Sequence, residues 1–166
     1  MFKMEDNLQA AFTIRYNQVS NKLKNKVSIK YKNDNYEVDA LWDTGATKSC
    51  ISHDVVQFLR LIPTGQMDVQ TPSGQSTVNT YLVDLLLPNK VCVPNIMVCD
   101  SEIGNQGIGL LVGMDIINLG DMSISNCSRV TTFSFRMPSS GATDYVALSK
   151  TRAKIGTHGK GKRKHK

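Results

Sequence analysis

The chain has 166 residues, with 20 Lys or Arg against 14 Asp or Glu, a length that suits one domain with a buried core. The charge is uneven: residues 150–166 carry eight Lys or Arg and no acid, which leaves twelve bases against fourteen acids, so the body is near −2 and the tail +8. The high pI therefore belongs to the tail and says little about the fold. No apolar run approaches the roughly 20 residues that span a bilayer, and residues 1–7 lack the apolar centre of a signal peptide. Cys50, Cys92, Cys99 and Cys127 form no Cys-x-x-Cys pair and have no histidines at zinc-finger spacing. They read as reduced thiols, mostly in strands, rather than as a disulfide framework. That pattern predicts a soluble, cytoplasmic protein with no membrane contact, no metal and no cofactor.

Residues 1–18 carry two patterns. Leu8, Ala11, Phe12 and Tyr16 could share a helical face, whereas Phe12 to Tyr16 alternate like a strand. Residues 21–26 are polar and basic and read as a connection. Val27, Ile29 and Tyr31 then alternate with polar residues, Asn33-Asp34-Asn35 signals a turn, and Tyr36, Val38 and Ala40 alternate again, which predicts a β-hairpin. Ser52 is placed to cap a short helix with Val55, Val56 and Leu59 on one face, closed by Pro63 and Gly65. Two strands, 67–70 and 77–87, flank Thr71-Pro72-Ser73-Gly74, whose Pro in second and Gly in fourth place fit a β-turn. Residues 91–99 form a further strand, where Pro94 predicts an edge or a bulge. A polar loop covers 100–109, an apolar strand 108–112 ends at Gly113, and 115–119 make one helical turn. Residues 122–125 and 131–136 alternate once more. After Pro138 the pattern fades, and 150–166 read as disordered. The count of short strands predicts a mainly β domain with one or two short helices.

The segment that carries chemistry is Leu41-Trp42-Asp43-Thr44-Gly45-Ala46-Thr47. A strand ending in apolar residues delivers a carboxylate to the edge of a sheet. Gly45 lets the chain turn with close backbone approach, so that amides can hydrogen-bond the carboxylate. About 65 residues on stands Leu110-Leu111-Val112-Gly113-Met114-Asp115. Together these motifs resemble the retropepsin-like aspartic proteases, single-domain relatives of the retroviral enzymes, with bacterial or mobile-element members the nearest in character. The resemblance covers roughly 27–135. It implies a retropepsin-like acid-protease fold with a flap hairpin, in which Asp43 is the catalytic carboxylate. Thr44 would link the active-site loops of two subunits, Gly45 and Ala46 would shape the loop, and Thr71, Pro72, Ser73 and Gly74 would form the flap tip. The chain then divides into three regions: an N-terminal extension over 1–26, expected as part of the interface, the protease domain over 27–140, and, from composition, a basic, disordered tail over 141–166. Two positions depart from the retroviral pattern. Thr47 stands where those enzymes carry an acid, and the short flap contains Pro72.

Aspartic proteolysis needs two carboxylates sharing a proton, one acting as base on water and the other as acid on the scissile carbonyl. The chain has one Asp-Thr-Gly. Asp100-Ser101 runs into Glu102 and does not qualify, and Asp115 is expected to cap the second helix or hold a loop. The second carboxylate is then expected from a second copy, in a homodimer that cuts polypeptide substrates, with 131–136 the expected intersubunit strand. Trp42 is expected to pack. His53, His158 and His165 receive no role, and 104–113 lacks the Lys-Ser/Thr of a phosphate loop. The competing readings are a non-catalytic peptide-binding dimerisation module of the same fold and a nucleic-acid accessory protein. The latter rests on polyanion contact through the basic tail.

Overall fold

A computed structural model describes residues 11–71 and 74–150. Between residues 11 and 136 the described residues form ten strands and two short α-helices in order: β1 (Ala11–Arg15), β2 (Leu23–Tyr31), β3 (Asp34–Trp42), β4 (Cys50–Ser52), α1 (His53–Phe58), β5 (Gly65–Thr71), β6 (Gly74–Leu86), β7 (Cys92–Ser101), β8 (Leu110–Val112), α2 (Met114–Ile117), β9 (Asp121–Ser125) and β10 (Thr132–Arg136). Seven strands form one sheet in the order β2-β3-β8-β4-β7-β6-β5, and β2 also pairs with β6, which curls the sheet towards a barrel. The other three form a small sheet in the order β1-β10-β9. No helix among the described residues is long and apolar enough to cross a membrane.

The β2–β3 hairpin shows why local pattern found the strands but not their ends. Tyr31 pairs with Asp34, so the turn is Lys32-Asn33, one residue earlier than Asn33-Asp34-Asn35 suggests. Lys32 takes the left-handed conformation (φ 53°) that a two-residue hairpin turn demands. The polar stretch 21–26 is mostly strand rather than connection. Asn25 faces inward between Leu23 and Val27, and its side-chain carbonyl accepts the indole N–H of Trp42 at 2.6 Å. A buried amide with a partner satisfies the same inward pattern as an apolar residue. Ser52 caps α1 as expected, its hydroxyl accepting from the amide of Val55. Pro94 lies beside a β-bulge: the β6–β7 register shifts between Val83 and Leu85, and Asn95 turns left-handed (φ 55°) with its amide donating to Asp84.

The main core gathers Ile29, Ile51, Leu85, Leu110 and Ile116, all fully buried, beneath the large sheet. The three-stranded sheet joins it through aromatic packing. Trp42 meets Phe135 at 4.8 Å and Phe133 at 5.1 Å between ring centroids, and Phe12 closes the group. Residue 12 is therefore in a strand, not on a helical face. β10 lies in the middle of its sheet, paired on one edge with β1 and on the other with β9. Both its edges are used within the chain, so 131–136 is not a free edge for intersubunit pairing. The outer edges of β1 and β9 carry no other described strand. Residues 145–150, inside the stretch read as a tail, are helical; the Asp144 carboxylate accepts from the amides of Val146 and Ala147 and starts that helix.

Candidate active site

β3 runs parallel to β8, with Leu41 opposite Leu111 and Trp42 opposite Val112. The pairing extends one step into the loop, where the Asp43 amide donates to the Val112 carbonyl at 2.9 Å. Burial of Trp42 fixes the end of the strand, so the next residue emerges at the sheet edge with its carboxylate half-exposed. The Gly45 amide then donates to Asp43 Oδ1 at 2.8 Å. A Cβ on Gly45 would stand 3.1 Å from that oxygen, so glycine is what allows the amide and the carboxylate to meet this closely.

The loop after Asp43 is clamped to the segment 112–115 from several directions. The Met114 amide donates to the Ala46 carbonyl at 2.8 Å. The fully buried Ser49 forms the centre of the clamp. Its hydroxyl donates to Asp115 Oδ1 at 2.6 Å and accepts the Gly113 amide at 2.9 Å, while its own amide donates to both Asp115 oxygens. Asp115 thus holds a loop. Gly113 is required by contact: a Cβ there would lie 2.7 Å from the Lys48 carbonyl carbon and 2.9 Å from the Ala46 oxygen. Thr44, Thr47 and Lys48 are exposed, and Ala46 is half-buried. Sequence reasoning missed Ser49, whose partner lies 66 residues away; a polar residue in a polar stretch carries no signal of such a bond.

β5 and β6 form the flap hairpin, with Thr71 opposite Gly74 and Gly74 at φ 122°. Pro72 and Ser73 lie outside the described residues. The base of the hairpin packs through Met67, Val69 and Val78 onto a second apolar cluster containing Cys50, Cys99, Ile103 and Ile108, together with Leu41 and Leu111. Those last two sit on the strands that lead into Asp43 and Gly113, so the flap and the strand before Asp43 share one apolar wall. Beyond this wall, Asp100 accepts from the Asn79 amide (3.0 Å) and the Tyr81 hydroxyl (3.3 Å). His53 stands 3.9 Å from it, half-exposed, a partner that the sequence did not reveal. Burial pushes the Tyr81 hydroxyl above its ordinary range, and the neighbouring Asp100 charge adds to that.

A half-exposed aspartate at a strand end, braced by a glycine amide and a clamped loop beneath a hairpin, is the arrangement that an acid-protease fold implies. A family profile described as aspartyl protease matches residues 26–116, and the chain belongs to that family. No curated protein matches the sequence. Among solved structures, a retropepsin-like aspartic protease from Rickettsia conorii superposes with a TM-score of 0.50 at 12% identity, covering 82% of this chain and 96% of that one. The EIAV protease complexed with the inhibitor HBY-793 gives a TM-score of 0.46 at 18% identity, over 61% of this chain and 89% of that one. The simian foamy virus (mac) protease gives 0.42 at 19%, over 56% and 89%. The fold is the mainly β, retropepsin-like one.

Proposed function

We propose that this protein is an aspartic endopeptidase, active as a homodimer in which each copy contributes Asp43. The observation that carries the reading is the Asp43 carboxylate, half-exposed at the end of β3 and braced at 2.8 Å by the Gly45 amide, in a chain of the aspartyl protease family. Hydrolysis of a peptide bond by water needs a base to take a proton from the water and an acid to give one to the carbonyl oxygen. Two carboxylates sharing one proton supply both. Neither of the other two candidates suits the second role: both oxygens of Asp115 accept from Ser49, and Asp100 is held by Asn79 and Tyr81. The second carboxylate in this reading is the Asp43 of another copy, across a two-fold axis that makes the interface self-complementary.

Within the dimer, Thr44 beside Asp43 links the two loops by hydrogen bonds, and Gly45 and Ala46 keep the loop narrow enough for the carboxylates to approach. The substrate lies extended between the loops and the flap, bound through its backbone, with side chains against the apolar wall. The test is cleavage of a peptide library by the wild type and by Asp43→Asn. The variant should lose cleavage by roughly 10²–10⁴-fold or more, the scale of an acid–base contribution, while circular dichroism and sedimentation stay unchanged. Cleavage that survives in Asp43→Asn refutes the assignment. A wild type that binds peptides and cuts none is instead a non-catalytic peptide-binding module of the same fold.

A further inference from the structure

Two of the four cysteines are brought together by the fold. β4 and β7 run parallel, and Cys50 is the register partner of Cys99. Both side chains belong to the apolar cluster beneath the flap, where both are buried, and the Cys99 thiol lies 3.8 Å from the carbonyl of Ser49, the residue before Cys50. Neighbouring strands lie about 4.8 Å apart, inside the roughly 4.4–6.8 Å window of Cα separations that a disulfide bridges. A small approach of β4 to β7 would bring the two sulfurs to bonding distance. The other two cysteines stand apart from this arrangement: Cys92 is at the far end of β7 and Cys127 is exposed.

We propose that Cys50 and Cys99 are a reversible modification site, closing to a disulfide when the protein meets a small peroxide. The two thiols differ in readiness. Coupling between the two thiols favours the thiolate at Cys99 and the thiol at Cys50, and Cys99 is the attacking group in this proposal. Its thiolate sulfur bonds one peroxide oxygen, the O–O bond breaks, and the departing hydroxide takes up the thiol's proton and leaves as water. Cys99 is then a sulfenic acid. The Cys50 sulfur attacks Cys99 Sγ, the S–O bond breaks, and the second oxygen leaves as water with the Cys50 proton. The net reaction is two thiols and one peroxide giving one disulfide and two waters. A peroxide suits the site because it is small enough to reach thiols that the flap base covers.

The bond would act next to the active-site loop. Cys50 follows Ser49, and the Cys99 amide donates to the Ser49 carbonyl at 3.2 Å. Ser49 in turn holds Gly113 and Asp115. Drawing β4 towards β7 thus bears directly on the clamp beneath Asp43, and it removes two thiols from the wall shared with Met67, Val69 and Val78. The chemistry stands independently of whether the protein cleaves peptides, because the bond itself is the readout.

The experiment exposes the full chain to hydrogen peroxide, unfolds it in an alkylating reagent, and maps the cysteines by mass spectrometry. The double variant Cys92→Ala/Cys127→Ala, which keeps the pair, is treated alongside the wild type. The expected result is a linked peptide joining Cys50 to Cys99, a loss of both alkylatable thiols in the double variant, and full recovery after dithiothreitol. Cys50→Ser should yield no link and leave Cys99 trapped as a sulfenic acid by dimedone. Should that variant fail to fold, the double variant alone decides the matter. Free alkylation of both Cys50 and Cys99 after peroxide, or their separate oxidation to sulfinic acids without a link, overturns the proposal.

Discussion

Ser49→Ala tests the clamp beneath the loop that carries Asp43. The hydroxyl makes two bonds in a fully buried place, donating to the Asp115 carboxylate at 2.6 Å and accepting from the Gly113 amide at 2.9 Å. A hydrogen bond to a charged group contributes about 1.5–3 kcal/mol, and an orphaned buried amide costs about 1–3 kcal/mol. Gly113 has no room to move towards another partner, since even a methyl group there would strike Lys48 and Ala46. The Ser49 amide still donates to both Asp115 oxygens, so the carboxylate is not left unpaired. The two effects share one group and do not add in full. The expected loss is about 3 kcal/mol, or roughly 6–12 °C in melting temperature for a chain of this size. Urea unfolding at a fixed protein concentration measures it, because dimerisation would otherwise shift the midpoint. Ser49→Thr, which keeps the hydroxyl, should be milder in its effect on the clamp bonds, and peptide cleavage should follow the same order as stability. A loss under about 1 kcal/mol with cleavage intact would refute the claim that this clamp sets the loop.

Gly113→Ala should cost about 1–3 kcal/mol or more through overpacking, because the added methyl meets backbone rather than a flexible side chain; chemical denaturation checks it, and cleavage should fall with it. Trp42→Ala should cost about 3–5 kcal/mol, since it empties the space between Phe12, Phe133 and Phe135 and strands the buried Asn25 carbonyl. The measurement is denaturation followed by circular dichroism, Trp42 being the chain's one tryptophan. Asp121 accepts from Ser139, the Ser140 amide and Arg136, which hold its carboxyl well below the usual carboxylate range. A depressed folded pKa stabilises above the unfolded value, near about 3.9 for Asp, and that contribution fades as pH falls through the lower folded value. Asp121→Asn should therefore lower stability at neutral pH and flatten its decline below about pH 4; melting curves across that range decide it.

What the sequence determined by itself was local. The alternation in 27–31 and 36–40, the Ser52 cap, the hairpin of the strands on either side of Thr71 and Gly74, the edge or bulge at Pro94 and the Asp-Thr-Gly loop all depend on residues a few positions apart. Period-2 patterning and turn chemistry act over that range, so they can be read without the fold. The structural role of Asp115, two residues after Gly113, was legible in kind from the family resemblance as a cap or a loop brace, but its partner was not.

Tertiary structure decided whatever depends on strand order. Alternation tells which face of a strand is buried but not which strand lies beside it. The same pattern over 131–136 is compatible with an edge between subunits or with the middle of a sheet, and only pairing with β1 and β9 places it in the middle. Asn25 looked like part of a connection until the indole of Trp42 gave its side chain a buried partner. Ser49 and Asp115, and likewise Cys50 and Cys99, lie far apart in sequence and meet because β8 sits between β3 and β4 while β7 flanks β4 on the other side. A hydrogen bond or a thiol pair needs its atoms within a few ångströms, and for residues this distant along the chain only the completed sheet sets that separation.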